Sequence, residues 1–119
     1  MAAVHRSNRP LPWMVFGLGG FLVAFLFPVH IFIYGIALPL GWLPAPGYQS
    51  TLALVRSPIT RIYLGILLTL AFWHAGYRIR DTVCDALGMR HVDTIVAAGC
   101  FAFALAGTIA TIVALCAVP

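Results

Sequence analysis

Between Pro10 and Val55 the chain carries no charged residue, and the stretches from Ile62 to Tyr77 and from Thr94 to Ala117 are equally free of charge. None of them alternates apolar and polar positions as a half-buried strand does. Each is long enough to be a membrane-crossing helix, since about 20 residues cover ~30 Å of hydrocarbon. The pattern predicts an all-α integral membrane chain, one transmembrane domain over residues 1–119. Its three spans fall at about 13–38, 58–78 and 94–117. The first run is too long for a signal peptide, and no small-residue cleavage site follows a short apolar core.

Local signals set the ends of these spans. Pro28 lies within the first, where its missing N–H frees the carbonyl of Ala24 and predicts a kink. After Pro39 the stretch GWLPAPGYQS reads as a turn, with Trp42 and Tyr48 placed as interfacial anchors. Ser57 and Pro58 fit the N-cap and first position of the second helix, and Arg61 is placed to snorkel to the headgroups. The second helix is expected to run on through YRIRDTVCDAL until Gly88 caps it, and Asp93 is expected to cap the third.

Composition narrows the function class. Of 119 residues, 62% are hydrophobic and 8% charged, with a mean hydropathy of +1.01. Soluble domains carry about 25% charged residues. A soluble enzyme domain, a disordered tail, a nucleic-acid module and a disulfide-stapled miniprotein are therefore excluded. All basic residues are Arg and all acidic ones Asp, so the chain has no Glu. Cys84, Cys100 and Cys116 stand sixteen apart, which is no metal-ligand spacing, and the last two read as small hydrophobes.

Charge also gives an orientation. With residues 1–9 as a cytosolic tail, the inner side holds Arg6, Arg9, Arg78, Arg80 and Arg90, against Arg56 and Arg61 outside. The positive-inside bias then predicts a cytosolic N-terminus and a C-terminus on the outer side. In the third span Ala98, Ala102, Ala106, Ala110 and Ala114 recur every fourth residue beside Gly99 and Gly107. Gly17, Gly20 and Ala24 make a shorter version in the first. Such stripes let a partner helix approach closely, although Ala is common throughout this chain.

Polar groups within spans are the first places to look for chemistry. His30 and His74 fall at opposite depths, so they cannot share one haem iron; a haem shared with another subunit's histidine stays open. At the inner face, Trp13, Phe16 and Gly17 open the first span while Trp73, His74, Tyr77 and Arg78 close the second. Antiparallel helices put both groups at one depth. Aromatic rings that stack on a flat ring system, with Arg or Tyr to bond a carbonyl, suit a quinone head group. An ordinary interfacial aromatic belt with a basic stop signal would have the same residues. No nucleophile–base pair, metal cluster or phosphate loop is present, so no catalytic residue and no metal ligand is assigned.

The stretch W-x-x-F-G-x-G-G (Trp13, Phe16, Gly17, Gly19, Gly20), followed by FPVHIFIYGIALPLG, resembles the D subunit of bacterial fumarate reductase. Trp73, Arg78 and Asp85 continue the resemblance, and length, span number and orientation agree with it. It implies a non-catalytic hydrophobic anchor in the bacterial plasma membrane. The anchor pairs with a second, C-type membrane subunit and docks an iron–sulfur subunit and a flavoprotein subunit on the cytosolic face. FAD and the Fe–S clusters belong to those partners, no haem is expected, and the function is menaquinol-linked electron transport to fumarate in anaerobic respiration. The family's quinone-lining residues fall on Trp13, Phe16 and Arg78, beside Gly17 and Tyr77. Tyr77 stands where the family carries a histidine. The missing Glu places the proton-accepting carboxylate in the C-type partner, with Asp81 and Asp85 here as relay candidates or as partners offsetting Arg78 and Arg80. The alternatives are a succinate dehydrogenase anchor, which often holds haem b, and a non-redox transporter half or assembly factor. No inverted repeat supports a transporter.

Overall fold

A computed structural model describes residues 10–88 and 90–119, with side chains from Trp13 onward. The basic tail read at residues 1–9, with Arg6 and Arg9, lies outside the described residues. Helix α1 runs Pro10–His30 and continues as a π-helical segment, Ile31–Ala37. A short helix α2, Tyr48–Arg56, leads into α3, Pro58–Ala86. A 3-10 turn, Arg90–Val92, precedes α4, Asp93–Ala117. Three of these helices are long and apolar enough to cross a membrane. At 29 residues, α3 rises about 44 Å and so extends past the hydrocarbon, as expected from the sequence.

The boundaries follow backbone chemistry. Pro58 starts α3 where no N–H is needed, with Ser57 at the cap position. Ser57 makes no side-chain cap bond; its carbonyl instead accepts from the Arg61 amide at 3.0 Å. Gly88, at φ +61°, follows the end of α3 in the left-handed conformation that glycine adopts without strain. Gly41, at φ +74°, does the same after the first span.

Pro28 does not end its helix. The chain instead widens just beyond it, with Leu38 N–H donating to the Ile33 carbonyl at 2.9 Å and Trp42 N–H to Ala37 at 2.9 Å. The first of these reaches belongs to the π-helix, one of the ways a membrane helix pairs its backbone groups around proline, and the second closes its end in a Schellman turn about Gly41. His30 helps, its Nδ1 lying 2.7 Å from the carbonyl of Leu26.

The turn expected through Ser50 closes earlier than the sequence suggests, because Tyr48 already begins α2. Arg61, placed by the sequence to snorkel, is engaged within the chain. Its guanidinium donates to the carbonyls of Val55 (3.2 Å) and Val118 (3.1 Å), fastening the ends of α2 and α4 to the start of α3. Main-chain carbonyls left unpaired at helix ends attract such donors. Asp93 is likewise no side-chain cap, since Val92 occupies the cap position and α4 begins at Asp93 itself.

Helix α3 is the spine. Both α1 and α4 pack on it, α4 more extensively, and they scarcely meet each other. Among the described residues the buried positions are mostly small: Gly19, Ala37, Leu67, Gly76, Cys84, Ala104 and Thr111. Between α3 and α4, a Cβ at Gly76 would lie 3.1 Å from the Cys100 carbonyl oxygen, and one at Gly107 would lie 2.5 Å from the Phe72 ring. Lipid is as apolar as Leu, so helices associate here through close backbone approach rather than hydrophobic exclusion.

The alanine stripe is not the contact line of α4. Ala98, Ala102, Ala106, Ala110 and Ala114 are all exposed, whereas Ala104, Gly107 and Thr111 face α3. The stripe and the buried line lie on different faces, and Gly107 belongs to the buried one. In α1, Gly17 and Ala24 are exposed while Gly19 and Gly20 meet α3.

Candidate functional site

At the end of the bundle where α1 begins and α3 approaches its close, the side chains form an aromatic cluster. The Phe16 ring stacks on His74 (centroids 4.6 Å, planes 17° apart) and meets Tyr77 edge-on (5.4 Å, 70°). Tyr77 in turn meets Phe101 of α4 edge-on at 5.1 Å, and Trp73 lies 6.0 Å from the same ring. Tyr77 therefore sits between α1 and α4, touching a phenyl ring from each. Edge-to-face and offset pairs of this kind follow the ring quadrupole and fix orientation as well as contact.

Phe16 and Tyr77 are thus brought together, and they share a depth in the bundle. Trp13 and Arg78 flank them on the surface, Trp13 being 77% exposed and unpartnered by any ring among the described residues. Gly17 is also exposed, and a Cβ there would meet open space. The rings of Phe16, His74 and Tyr77 pack on one another, and the Trp13 indole and Arg78 guanidinium stand exposed on the same two helices. A flat aromatic head group with carbonyl oxygens fits that chemistry, stacking on the indole and accepting from the guanidinium.

Sequence reasoning placed His74 in this region but not in the contact. The residue that makes the contact possible is Gly20, where a Cβ would come within 2.5 Å of the imidazole Cε1. The W-x-x-F-G-x-G-G motif held the signal, and its last glycine is the one that admits the ring.

Beyond this cluster the loop end of α3 and α4 is held by ions. Arg80 grips Asp93 with two bonds, Nε to Oδ1 at 2.9 Å and Nη2 to Oδ2 at 2.6 Å. The buried Cys84 thiol donates to the same carboxylate at 3.5 Å. Bidentate geometry of this kind suits the planar guanidinium. Asp85 pairs with Arg90. Neither Asp85 nor Asp81 offsets Arg78 or Arg80 through an ion pair, contrary to expectation, because Asp93 reaches Arg80 from the start of α4.

His30 lies well away from the cluster. Its Nδ1 faces Leu26 and its Nε2 lies 3.2 Å from the Tyr63 hydroxyl on α3. Tyr63 and His74 are eleven residues apart on that helix, about 16 Å of rise, which places the two imidazoles at different depths.

Three membrane-length helices, with a polar and aromatic cluster at one end of the spine, define a multi-pass α-helical membrane protein. Residues 3–116 match the protein family of the fumarate reductase D subunit. Among relatives, the fumarate reductase D subunit of Mycobacterium tuberculosis (strain H37Rv) is 38% identical over 104 residues, covering 87% of this chain and 83% of the relative. Those of Shewanella sp. (strain W3-18-1) and Vibrio parahaemolyticus are each 34% identical, over 110 residues (90% and 89% covered) and 101 residues (83% and 79%) respectively. The chain belongs to the family of fumarate reductase D subunits, and with that membership it is a membrane component of a multi-subunit fumarate reductase complex.

Proposed function

We propose that this chain anchors the iron–sulfur and flavoprotein subunits to the cytosolic face of the bacterial plasma membrane and helps form the menaquinol site beside them. A second, C-type membrane subunit pairs with it. The N-terminus is cytosolic and the C-terminus lies outside, so that the basic end of α3 faces the docked subunits. Menaquinol bound there passes its electrons to the iron–sulfur subunit, and fumarate is reduced to succinate on the flavoprotein.

The observation that carries the reading is the contact of Phe16 on α1 with Tyr77 on α3, which joins the two residue groups at one depth. Within the site, Trp13 and Phe16 supply ring faces for the head group, and Gly17 keeps the space beside them clear. Arg78 and Tyr77 donate to its oxygens. The quinol enters from the bilayer along the exposed face of α1.

Substituting Trp13 or Arg78 by Ala in the assembled complex tests this. Quinol-linked turnover should fall, while fumarate reduction driven by an artificial dye donor stays at its wild-type rate. Unchanged quinol kinetics in both variants would refute the site.

A further inference from the structure

The end of the bundle away from the aromatic cluster carries a surface that the proposed function leaves unused. Helix α2 and the end of α4 border a groove of about 200 Å³ there, lined by Tyr48, Thr51, Leu52, Val55 and Val118. The four α2 residues fall at i, i+3, i+4 and i+7, which is one face of the helix, and Arg56 stands at its edge. The groove surface is almost wholly apolar, and the Thr51 hydroxyl donates back to the Gly47 carbonyl at 3.3 Å.

Two guanidinium groups border this groove. Arg56 Nε donates to the Pro119 carbonyl, while Arg61 donates to the carbonyls of Val55 and Val118, both groove residues. Nη1 and Nη2 of Arg56 and Nη1 of Arg61 have no partner among the described residues. Every acidic side chain of the protein, Asp81, Asp85 and Asp93, lies at the opposite end. There Arg80 and Arg90 are each paired with an aspartate. Even with one charge set against a carboxylate on Pro119, the groove end keeps an unbalanced positive charge.

We propose that this end binds an anionic phospholipid of the adjoining leaflet, with its phosphate on Arg56 and Arg61 and an acyl chain in the groove. The match is one of charge and polarity. A phosphate diester is a fixed negative charge, and guanidinium N–H groups pair with it strongly. An apolar groove offers water no partners, whereas a hydrocarbon chain needs none. The depth is also right. Arg61 directly precedes the uncharged run of α3 that starts at Ile62, so its guanidinium stands where headgroups meet hydrocarbon. Trp42 and Tyr48, 62% and 74% exposed, occupy the same end, and such rings settle at headgroup level. The site is independent of the quinone reading, and under the orientation proposed above its leaflet is the outer one.

The test uses the purified, delipidated complex in detergent, with bound lipid counted by native mass spectrometry. Phosphatidylglycerol and phosphatidylcholine of the same acyl chains are the probes. Wild type should prefer phosphatidylglycerol by about 10-fold, the scale of one charge-assisted contact. Arg56→Gln should abolish the preference, and Thr51→Trp, which fills the groove, should weaken both lipids. Ser50→Trp, on the same helix but off the groove face, should leave both unchanged. Arg56, Thr51 and Ser50 are exposed, so none of these variants requires the helices to repack. Equal binding of the two lipids by wild type, or wild-type binding in both Arg56→Gln and Thr51→Trp, overturns the proposal. A thiol placed by Thr51→Cys should react with a maleimide in the delipidated complex and be protected by phosphatidylglycerol. A thiol that stays unreactive without lipid means that a protein subunit covers the groove, which overturns the proposal as well.

Discussion

Gly107 is the tightest point of the α3–α4 line. A Cβ placed there would lie 2.5–2.6 Å from Cδ1, Cε1 and Cγ of Phe72. Ordinary carbon–carbon contacts fall at about 3.5–4.0 Å, so Gly107→Val demands a displacement of about 1 Å or more. Phe72 cannot yield at its tip alone, because Cγ, close to the backbone, is among the clashing atoms. Its ring is also held edge-on against Phe103 at 5.7 Å. Overpacking of this kind costs about 1–3 kcal/mol, and the branched side chain adds to it. Replacing a helical glycine returns at most about 0.5 kcal/mol when the newcomer is β-branched. The net loss should be about 1–3 kcal/mol, all of it on the α3–α4 contact. Thermal dissociation of the detergent-purified complex, followed by loss of this chain from the assembly, reads the effect. Phe72→Ala in the same chain opens the space that the introduced valine needs, so the double variant should be no less stable than Phe72→Ala alone. A Gly107→Val complex as stable as wild type would refute the packing account. So would a double variant whose losses simply add.

Two further outcomes follow from contacts at the same end of the bundle and from the anchor role. Arg80→Ala or Asp93→Ala should each lower the dissociation temperature, and the swapped pair Arg80→Asp with Asp93→Arg should recover part of the loss; a swap that recovers nothing means the bidentate contact does not hold the loop. Membranes from cells lacking this chain should release the flavoprotein and iron–sulfur subunits into the soluble fraction, and full retention of both on the membrane would count against anchoring.

The three spans were legible because a membrane helix announces itself in one dimension, as an uncharged run of fixed length. Pro58 and Gly88 were legible for a similar reason, each being a residue whose backbone chemistry favours one place in a helix. The shared depth of Phe16 and Tyr77 followed from antiparallel spans and simple counting. Helix α2 was not legible: its nine residues follow Pro44, Pro46 and Gly47, and so short a segment folds only because it rests on α3. The partner of Arg80 was hidden too. Asp81 and Asp85 are nearer in sequence, but the turn of the chain delivers Asp93 to the guanidinium. The alanine stripe was legible as a face but not its neighbour within the chain: the stripe stands exposed, and α3 meets Ala104 and Gly107 instead.

The separate seating of α1 and α4 on α3 has a consequence for how such a chain diverges in evolution. A protein with a common centre ties every helix to every other, so a change in one must be answered by the rest. Here, apart from Tyr77, which touches a ring from each, the outer helices answer to the spine along separate lines. Substitutions on α1 and on α4 can therefore accumulate independently.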